Sequence, residues 1–231
     1  MKKLIIFGTG DIGQLAHFYF THDSKRSIAC FCADAEQIQS KEFIGLPVVP
    51  FEDIVKTHPP DDFDLFIALS YSQLNQTRMK KYADAKAKGY TLASYICSRS
   101  VIWEGTPIGD NCFILENQTI QPYAEIGNNV TLWSGNHIGH HSRVGDHTFI
   151  TSHVVVSGHV QIGPGCFLGV NSTLRDGITL APLTVIGAGA TVLKNTVERG
   201  VYTGVEATLR VKDGTRLKYF THTRYNKPEQ K

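Results

Sequence analysis

The segment Glu125-Ile126-Gly127-Asn128-Asn129-Val130-Thr131-Leu132-Trp133-Ser134-Gly135-Asn136-His137-Ile138-Gly139-His140 decides the fold. Its aliphatic residues return every sixth position, and the rhythm extends without insertion from Ile96 to Val192. The steps are Ile96, Ile102, Ile108, Ile114, Ile120, Ile126, Leu132, Ile138, Val144, Ile150, Val156, Ile162, Leu168, Leu174, Leu180, Ile186 and Val192. Two residues earlier stands a small or short side chain, as at Cys112, Ala124, Ser142, Cys166 and Ala190. Glycine directly follows many of the aliphatics, as at Gly109, Gly127 and Gly145, where a tight corner is expected to need permissive backbone. Six residues make one short strand and one corner, so three hexads close a triangular coil of eighteen, and coils stack by parallel pairing at about 4.8 Å. The aliphatic spacing marks the left-handed form, an exception to the usual right-handed crossover. A sandwich of short strands would instead alternate over variable lengths with irregular loops.

Read in columns of eighteen, the outward residues define three faces. Phe113, Thr131, Phe149, Phe167 and Val185 form one, and it is too apolar for water. Thr119, His137, Val155 and Thr173 form a second, and Glu125, Arg143, Gln161 and Thr179 a third, solvated one. Two sticky faces and one wet face predict a homotrimer about an axis parallel to the prism.

The 92 residues before the prism have a different character. Leu4–Phe7 is a buried strand, followed by Gly8-Thr9-Gly10-Asp11-Ile12-Gly13 and a helical run to about Thr21. Further strands are expected at Ile28–Cys32 and Asp64–Leu69, a charged helix from about Gln73 to Lys88, and a lead into the prism from Tyr90 to Ile96. This is an α/β Rossmann-like unit followed by an all-β left-handed parallel β-helix. The expected division is 1–92, 93–210 and a basic tail at 211–231. A G-x-G-x-x-G between strand and helix holds phosphate on backbone N–H groups at a helix N-terminus. Gly8, Thr9, Gly10, Asp11 and Ile12 are therefore candidate substrate contacts, with Asp34 for a ribose or base. Because the chain turns to prism where a second half-domain would hold a nicotinamide, the site suits a nucleoside diphosphate. Alternatively, the glycines only permit a tight strand-to-helix turn.

Six of the ten histidines lie between 137 and 159: His137, His140, His141, His147, His153 and His159. Imidazole titrates near neutral pH, which suits a general base at a subunit seam. His140 sits at the corner after the His137 strand, and His141 falls over His159 one coil on. His147, after Asp146, reads as an ordinary polar turn residue. No cysteine lies in this run, so a covalent acyl-cysteine has no nucleophile there.

The composition is 42% hydrophobic and 19% charged, which excludes a disordered chain; the formal net charge of +2 says little about partners, and no nucleic-acid partner is expected. The apolar run Leu4–Phe7 is too short for a membrane span. Five cysteines without a pairing pattern fit a reducing cytoplasm. The segment Lys212–Lys231 holds six basic and two acidic residues. Such a tail is commonly just solvated, but it can also attract phosphates.

A small Rossmann-like domain joined to a hexapeptide prism resembles the NeuD-like sugar acyltransferase family, with its PglD and PerB types. The resemblance runs from the Gly8–Gly13 loop to Gly200-Val201-Tyr202-Thr203-Gly204-Val205. It is most specific at Gly163–Ser172 and Ile186–Val192. It implies a homotrimer, acetyl-CoA as donor without a metal, and an active site between neighbouring prisms. The substrate would be a nucleotide-linked amino sugar in bacterial surface-glycan biosynthesis, acetylated on nitrogen. The catalytic histidine falls on His140, and the cofactor contacts on Phe149, Gly158, Val170 and Ala188. Two positions depart from the pattern. His141 replaces an acidic neighbour, so it joins His140 as a candidate catalytic residue, and Glu206 replaces a proline in the closing turn. Three other readings stay open: O-acetylation of a sialic-acid-like sugar, a non-catalytic nucleotide-sugar-binding scaffold, and a zinc site of the γ-carbonic anhydrase kind.

Overall fold

A computed structural model describes residues 2–209 and Lys212. The basic tail, Lys212 apart, therefore lies outside the described residues. The N-terminal unit contains β1 (Lys3–Phe7), α1 (Asp11–Asp23), β2 (Ile28–Ala33), β3 (Glu42–Phe43), β4 (Leu46–Pro50), α2 (Ile54–Thr57), β5 (Phe63–Ile67) and α3 (Gln76–Ala87). Its sheet has the order β3-β4-β2-β1-β5, parallel except for the β3–β4 pair. The β3–β4 hairpin and α2 are not foreseen by the sequence pattern. The hairpin turns on Ile44-Gly45 with both φ angles positive, 52° and 73°. An Asn or Asp at the first turn position would have signalled that geometry, whereas an isoleucine conceals it.

The prism forms as the hexads require. Each hexad but that of Ile108, which makes an isolated bridge to Ile126, contributes a two-residue strand, and strands pair in parallel eighteen residues apart, as in Thr131 with Phe149 and Val155 with Thr173. From Ile114 to Val192 the register aliphatics are nearly inaccessible and fill one continuous core. The last coil is shorter: Val201–Tyr202, sixteen residues on rather than eighteen, pairs with Val185–Ile186.

Two features of the corners correct the reading of the glycines. Gly109, Gly127, Gly139, Gly145, Gly163 and Gly169 are needed for space: an added Cβ would lie 2.4–2.7 Å from atoms of the next coil. The left-handed backbone falls two residues later, at every sixth position from Gly105 to Gly189. That series includes Asn111, Asn117 and Asn129, and it includes His141, His147, His153 and His159. Asparagine and histidine are among the side chains that best tolerate this conformation. Much of the histidine concentration thus follows from backbone geometry.

The three faces form as expected, but the most apolar one is covered within the chain. Phe113 packs against Tyr19 and Phe66, and Tyr71 lies between Phe149 and Phe167 at ring separations of 5.0 and 4.8 Å. Phe113 and Phe149 are buried. Among the described residues, the face of Thr119, His137, Val155 and Thr173 is the apolar candidate left uncovered for contact with another copy. One sticky face is thus left open, not the two that the columns of eighteen suggest.

Polar links fasten the N-terminal unit to the prism. Asn111 Oδ1 accepts from the Ile67 N–H at 2.7 Å, and Asp110 accepts from Tyr82 and Lys86 at 2.6 and 2.7 Å. Arg78, 1% exposed, donates to the carbonyls of Asn129, His147 (2.9 Å) and Thr148 (3.5 Å) and to Asn75 Oδ1 (3.1 Å). Burial without a carboxylate lowers its pKa to about 10.

Candidate functional site

The Gly-rich loop has the geometry its spacing predicts. Gly8 has φ +115°, and a Cβ there would meet the Ala68 carbonyl oxygen at 2.7 Å. At Gly13 a Cβ would sit 2.1 Å from the Gly8 oxygen, so α1 can approach β1 only with glycine here. Gly10 caps α1, has open space around its Cα and receives no side-chain cap. The first N–H groups of α1 are therefore free of a side-chain partner and suited to an anion. Thr9 and Gly10 line a cleft whose opposite wall is Gln37–Ser40 with Phe43. The exposed Asp11 and half-buried Ile12 begin α1 beside this cleft. Asp34 lines a separate depression and is ion-paired to Lys81 at 2.5 Å. Asp34 lies two residues past Cys32, whose carbonyl accepts the Gly8 N–H at 2.8 Å, so it stands near the loop with its carboxylate held by Lys81, and the structure supplies the 37–43 wall that sequence reading missed.

The second cluster stands at an exposed corner of the prism. The column of eighteen stacks Tyr123, His141 and His159. The ring of Tyr123 lies 4.7 Å from that of His141, and His141 lies 4.8 Å from His159 at an interplanar angle of 15°. His140 is the one member outside the left-handed register. Its N–H donates to Gln121 Oε1 at 2.9 Å, and its Nδ1 lies 3.1 Å from His141 Nδ1. Its ring lies directly over Gly158, where an added Cβ would fall 2.7 Å from Cε1 and 2.8 Å from Nε2. Gly158, expected to touch a cofactor, therefore provides the space in which the His140 imidazole rests.

The other expected cofactor contacts separate. Phe149 is 1% exposed beneath Tyr71 and Arg78, and offers no surface to a cofactor. Val170 is exposed at 42%, and Ala188 is exposed one coil on. These two occupy the corner that precedes the uncovered face, whereas His140 and Gly158 occupy the corner that follows it. The edges are opposite in one chain, and two copies laid face to face would bring an edge of each kind together.

Three of the histidines stand close enough together to raise the question of a metal ion. His140, His141 and His159 each offer one nitrogen, within 4.8 Å of one another. Two nitrogens on one tetrahedral zinc stand about 3.4 Å apart, given Zn–N bonds of about 2.05 Å. As folded, the nitrogens spread over up to 4.8 Å and the Nδ1 atoms of His140 and His141 are paired with each other at 3.1 Å, so the group is not a preformed zinc site. Elsewhere, His147 is partly buried, with Nδ1 2.8 Å from Asn129 Nδ2, and burial followed by the nearby Arg78 charge lowers its pKa. All five cysteines are free and buried. Among the described residues no helix is long and apolar enough to cross a membrane.

Residues 123–158 match the bacterial transferase hexapeptide (six repeats) family, and residues 159–194 match the hexapeptide repeat of succinyl-transferase. The whole fold is similar to that of PerB from Caulobacter crescentus, solved in complex with CoA and GDP-perosamine. The TM-score is 0.79 at 22% identity, over 90% of this chain and 97% of that one. It is also similar to the acetyltransferase domain of PglB from Neisseria gonorrhoeae in complex with acetyl coenzyme A, with TM-score 0.76, 19% identity, and 88% and 96% coverage. WeeI from Acinetobacter baumannii matches with TM-score 0.75 at 17% identity, over 88% of this chain and 97% of that one. These likenesses establish the two-part fold: a Rossmann-like unit on a left-handed hexapeptide β-helix.

Proposed function

We propose that this chain is an acetyl-CoA-dependent N-acetyltransferase of a nucleotide-linked amino sugar, working in the cytoplasm on precursors of a surface glycan. The observation that carries the proposal is the pairing of two sites in one chain. An uncapped helix N-terminus at Gly10 suits a diphosphate, and an exposed imidazole at His140 rests on Gly158 with its Nε2 edge unblocked by a carboxylate. The names of the similar structures, which hold CoA with GDP-perosamine or acetyl coenzyme A, support the same donor and substrate class.

The chemistry follows from the residues. The Gly8–Ile12 loop binds the diphosphate through backbone N–H groups. The sugar's neutral amine attacks the thioester carbonyl, and His140 Nε2 takes a proton from the nitrogen as the new C–N bond forms. The C–S bond then breaks, and the imidazolium returns the proton to the CoA sulfur. No metal takes part. The CoA arm lies along the uncovered face, where Val170 and Ala188 of one copy approach His140 of the next. A homotrimer closes such a set of seams without leaving an edge.

Titration calorimetry with UDP, GDP and dTDP tests the substrate half. The reading expects one of the three to bind, and binding to fall at least tenfold in Gly10→Val, which fills the space over the loop. Indifference to all three would move the reading to O-acetylation of a free, sialic-acid-like sugar.

A further inference from the structure

The neighbour of a general base sets both its tautomer and its proton affinity, and here that neighbour is another imidazole. Two neutral rings joined Nδ1 to Nδ1 can hold only one proton between them, because a hydrogen bond needs one donor and one acceptor. If His140 donates, its Nε2 keeps the lone pair that base catalysis requires. If His141 donates, Nε2 of His140 carries the hydrogen and the base is disabled. We propose that His141 is a positioning residue that accepts the Nδ1–H of His140 and thereby fixes the tautomer with Nε2 free. This inference rests on the acetyltransfer reading.

The surroundings favour that assignment. The Tyr123 and His159 rings sandwich His141, so its plane is fixed by neighbours from the preceding and following coils. The His140 ring is instead set by its seat on Gly158 and stands at 85° to His141 and 86° to His159. The His159 N–H donates to the His140 carbonyl at 2.9 Å, which locks the two coils together under the pair. The titratable groups packed against the pair are Tyr123 before it and His159 after it; its other neighbours are the amides of Gln121 and Gln161. Among the described residues no carboxylate makes a hydrogen bond or ion pair with His140 or His141. With the hydrogen bond intact, Nε2 of His140 holds the lone pair of the two rings that the bond leaves open.

The left-handed corner allows a clean test. Glycine stands at the equivalent corner in the same column at Gly105 and Gly177, and asparagine at other corners, so His141→Gly and His141→Asn suit the backbone. Asparagine and aspartate can each place an oxygen acceptor where Nδ1 stands. The expected results are that His141→Asn keeps activity within tenfold of the unsubstituted protein, and that His141→Gly loses at least tenfold in kcat with KM unchanged. His141→Asp adds a negative charge beside the imidazolium, so the acid limb of its kcat profile moves to higher pH. Loss of all activity in His141→Asn, or unchanged kcat in His141→Gly, would overturn the proposal. So would an acid limb in His141→Asp that coincides with that of the unsubstituted protein.

Nitrogen-15 NMR of the ring nitrogens reads the tautomer without any substrate. His140 is expected to carry its hydrogen on Nδ1 at pH 8, and to lose that preference in His141→Gly. A hydrogen on Nε2 of His140 in the unsubstituted protein would refute the positioning role. The expected tautomer in a protein that turns over no acetyl-CoA would instead retain the pair and discard the acetyltransfer reading.

Discussion

Two corners of the same prism carry nearly the same backbone and have opposite uses. At one, Asn111, Asn129 and His147 stack eighteen residues apart, linked by contacts of 2.8 Å and closed over by Arg78 of α3. At the other, Tyr123, His141 and His159 stack in the same left-handed conformation and are exposed. The first is interior architecture: its polar groups are spent on one another, and burial suppresses protonation of His147. The second leaves imidazole edges open. The difference teaches that the repeat supplies conformation only. Whether a corner histidine does chemistry depends on which part of the chain covers it.

The largest effect should separate the corners directly. His140→Ala is expected to lower acetyl-CoA turnover by about 10²–10⁴-fold, the usual contribution of a positioned base. His147→Asn, at the covered corner, should leave turnover within a factor of two; equal losses in both would erase the distinction. The covered corner should respond in stability. Arg78→Ala leaves the carbonyls of Asn129, His147 and Thr148 without their buried donor, at a cost of about 3 kcal/mol in urea unfolding. A change below about 0.5 kcal/mol would mean that water replaces the guanidinium.

A smaller effect should follow from Gly158→Ala. Its methyl would intrude on the His140 ring, so kcat should fall about tenfold, roughly the 1.4 kcal/mol expected for a displaced base. The melting temperature should hardly move, since the ring is exposed and can swing aside. Acid should weaken the covered corner first. His147 has a pKa below its usual 6.5 in the folded chain, so the unfolded chain binds more protons below that value. Stability is thus complete above pH 6.5 and declines as pH falls towards the lowered value. His17 and His58, also lowered by burial, act in the same direction. A urea midpoint series from pH 7.5 to 5 should fall, and fall less in His147→Asn. The smallest expected effect is none: dialysis against a chelator should leave activity unchanged, and loss restored by zinc would reopen the metal reading of the exposed corner.

Much of this was legible in the sequence because the hexad rhythm is local. Each aliphatic step predicts its own strand, and the columns of eighteen correctly placed Phe149 beside Phe167 and His141 over His159. The Gly8–Gly13 loop was equally plain, since strand, turn and helix adjoin in the chain. What stayed hidden depends on distant contacts. Nothing in the repeat says that Tyr71 and Arg78 lie over Phe149, so the repeat alone marks this covered face as a subunit contact, and the family resemblance marks its buried ring as a cofactor contact. Asp34 has the spacing of a ribose ligand, but Lys81, far along the chain, holds its carboxylate. The histidine run is visible in the sequence, whereas its division into four corner-formers and two off-register residues, His137 on a strand and His140 after it, needs the φ angles. His140 emerges from that division better defined than the spacing alone could make it.

The most direct measurement of the central claim is turnover of acetyl-CoA by the whole chain with UDP-, GDP- and dTDP-linked amino sugars, followed by mass spectrometry of the products. The account predicts CoA release and a singly acetylated nucleotide sugar, acetylated at the amine, with one of the nucleotides and not with the free sugar. CoA release with none of them, or acetylation of a hydroxyl on a free sugar, would contradict it.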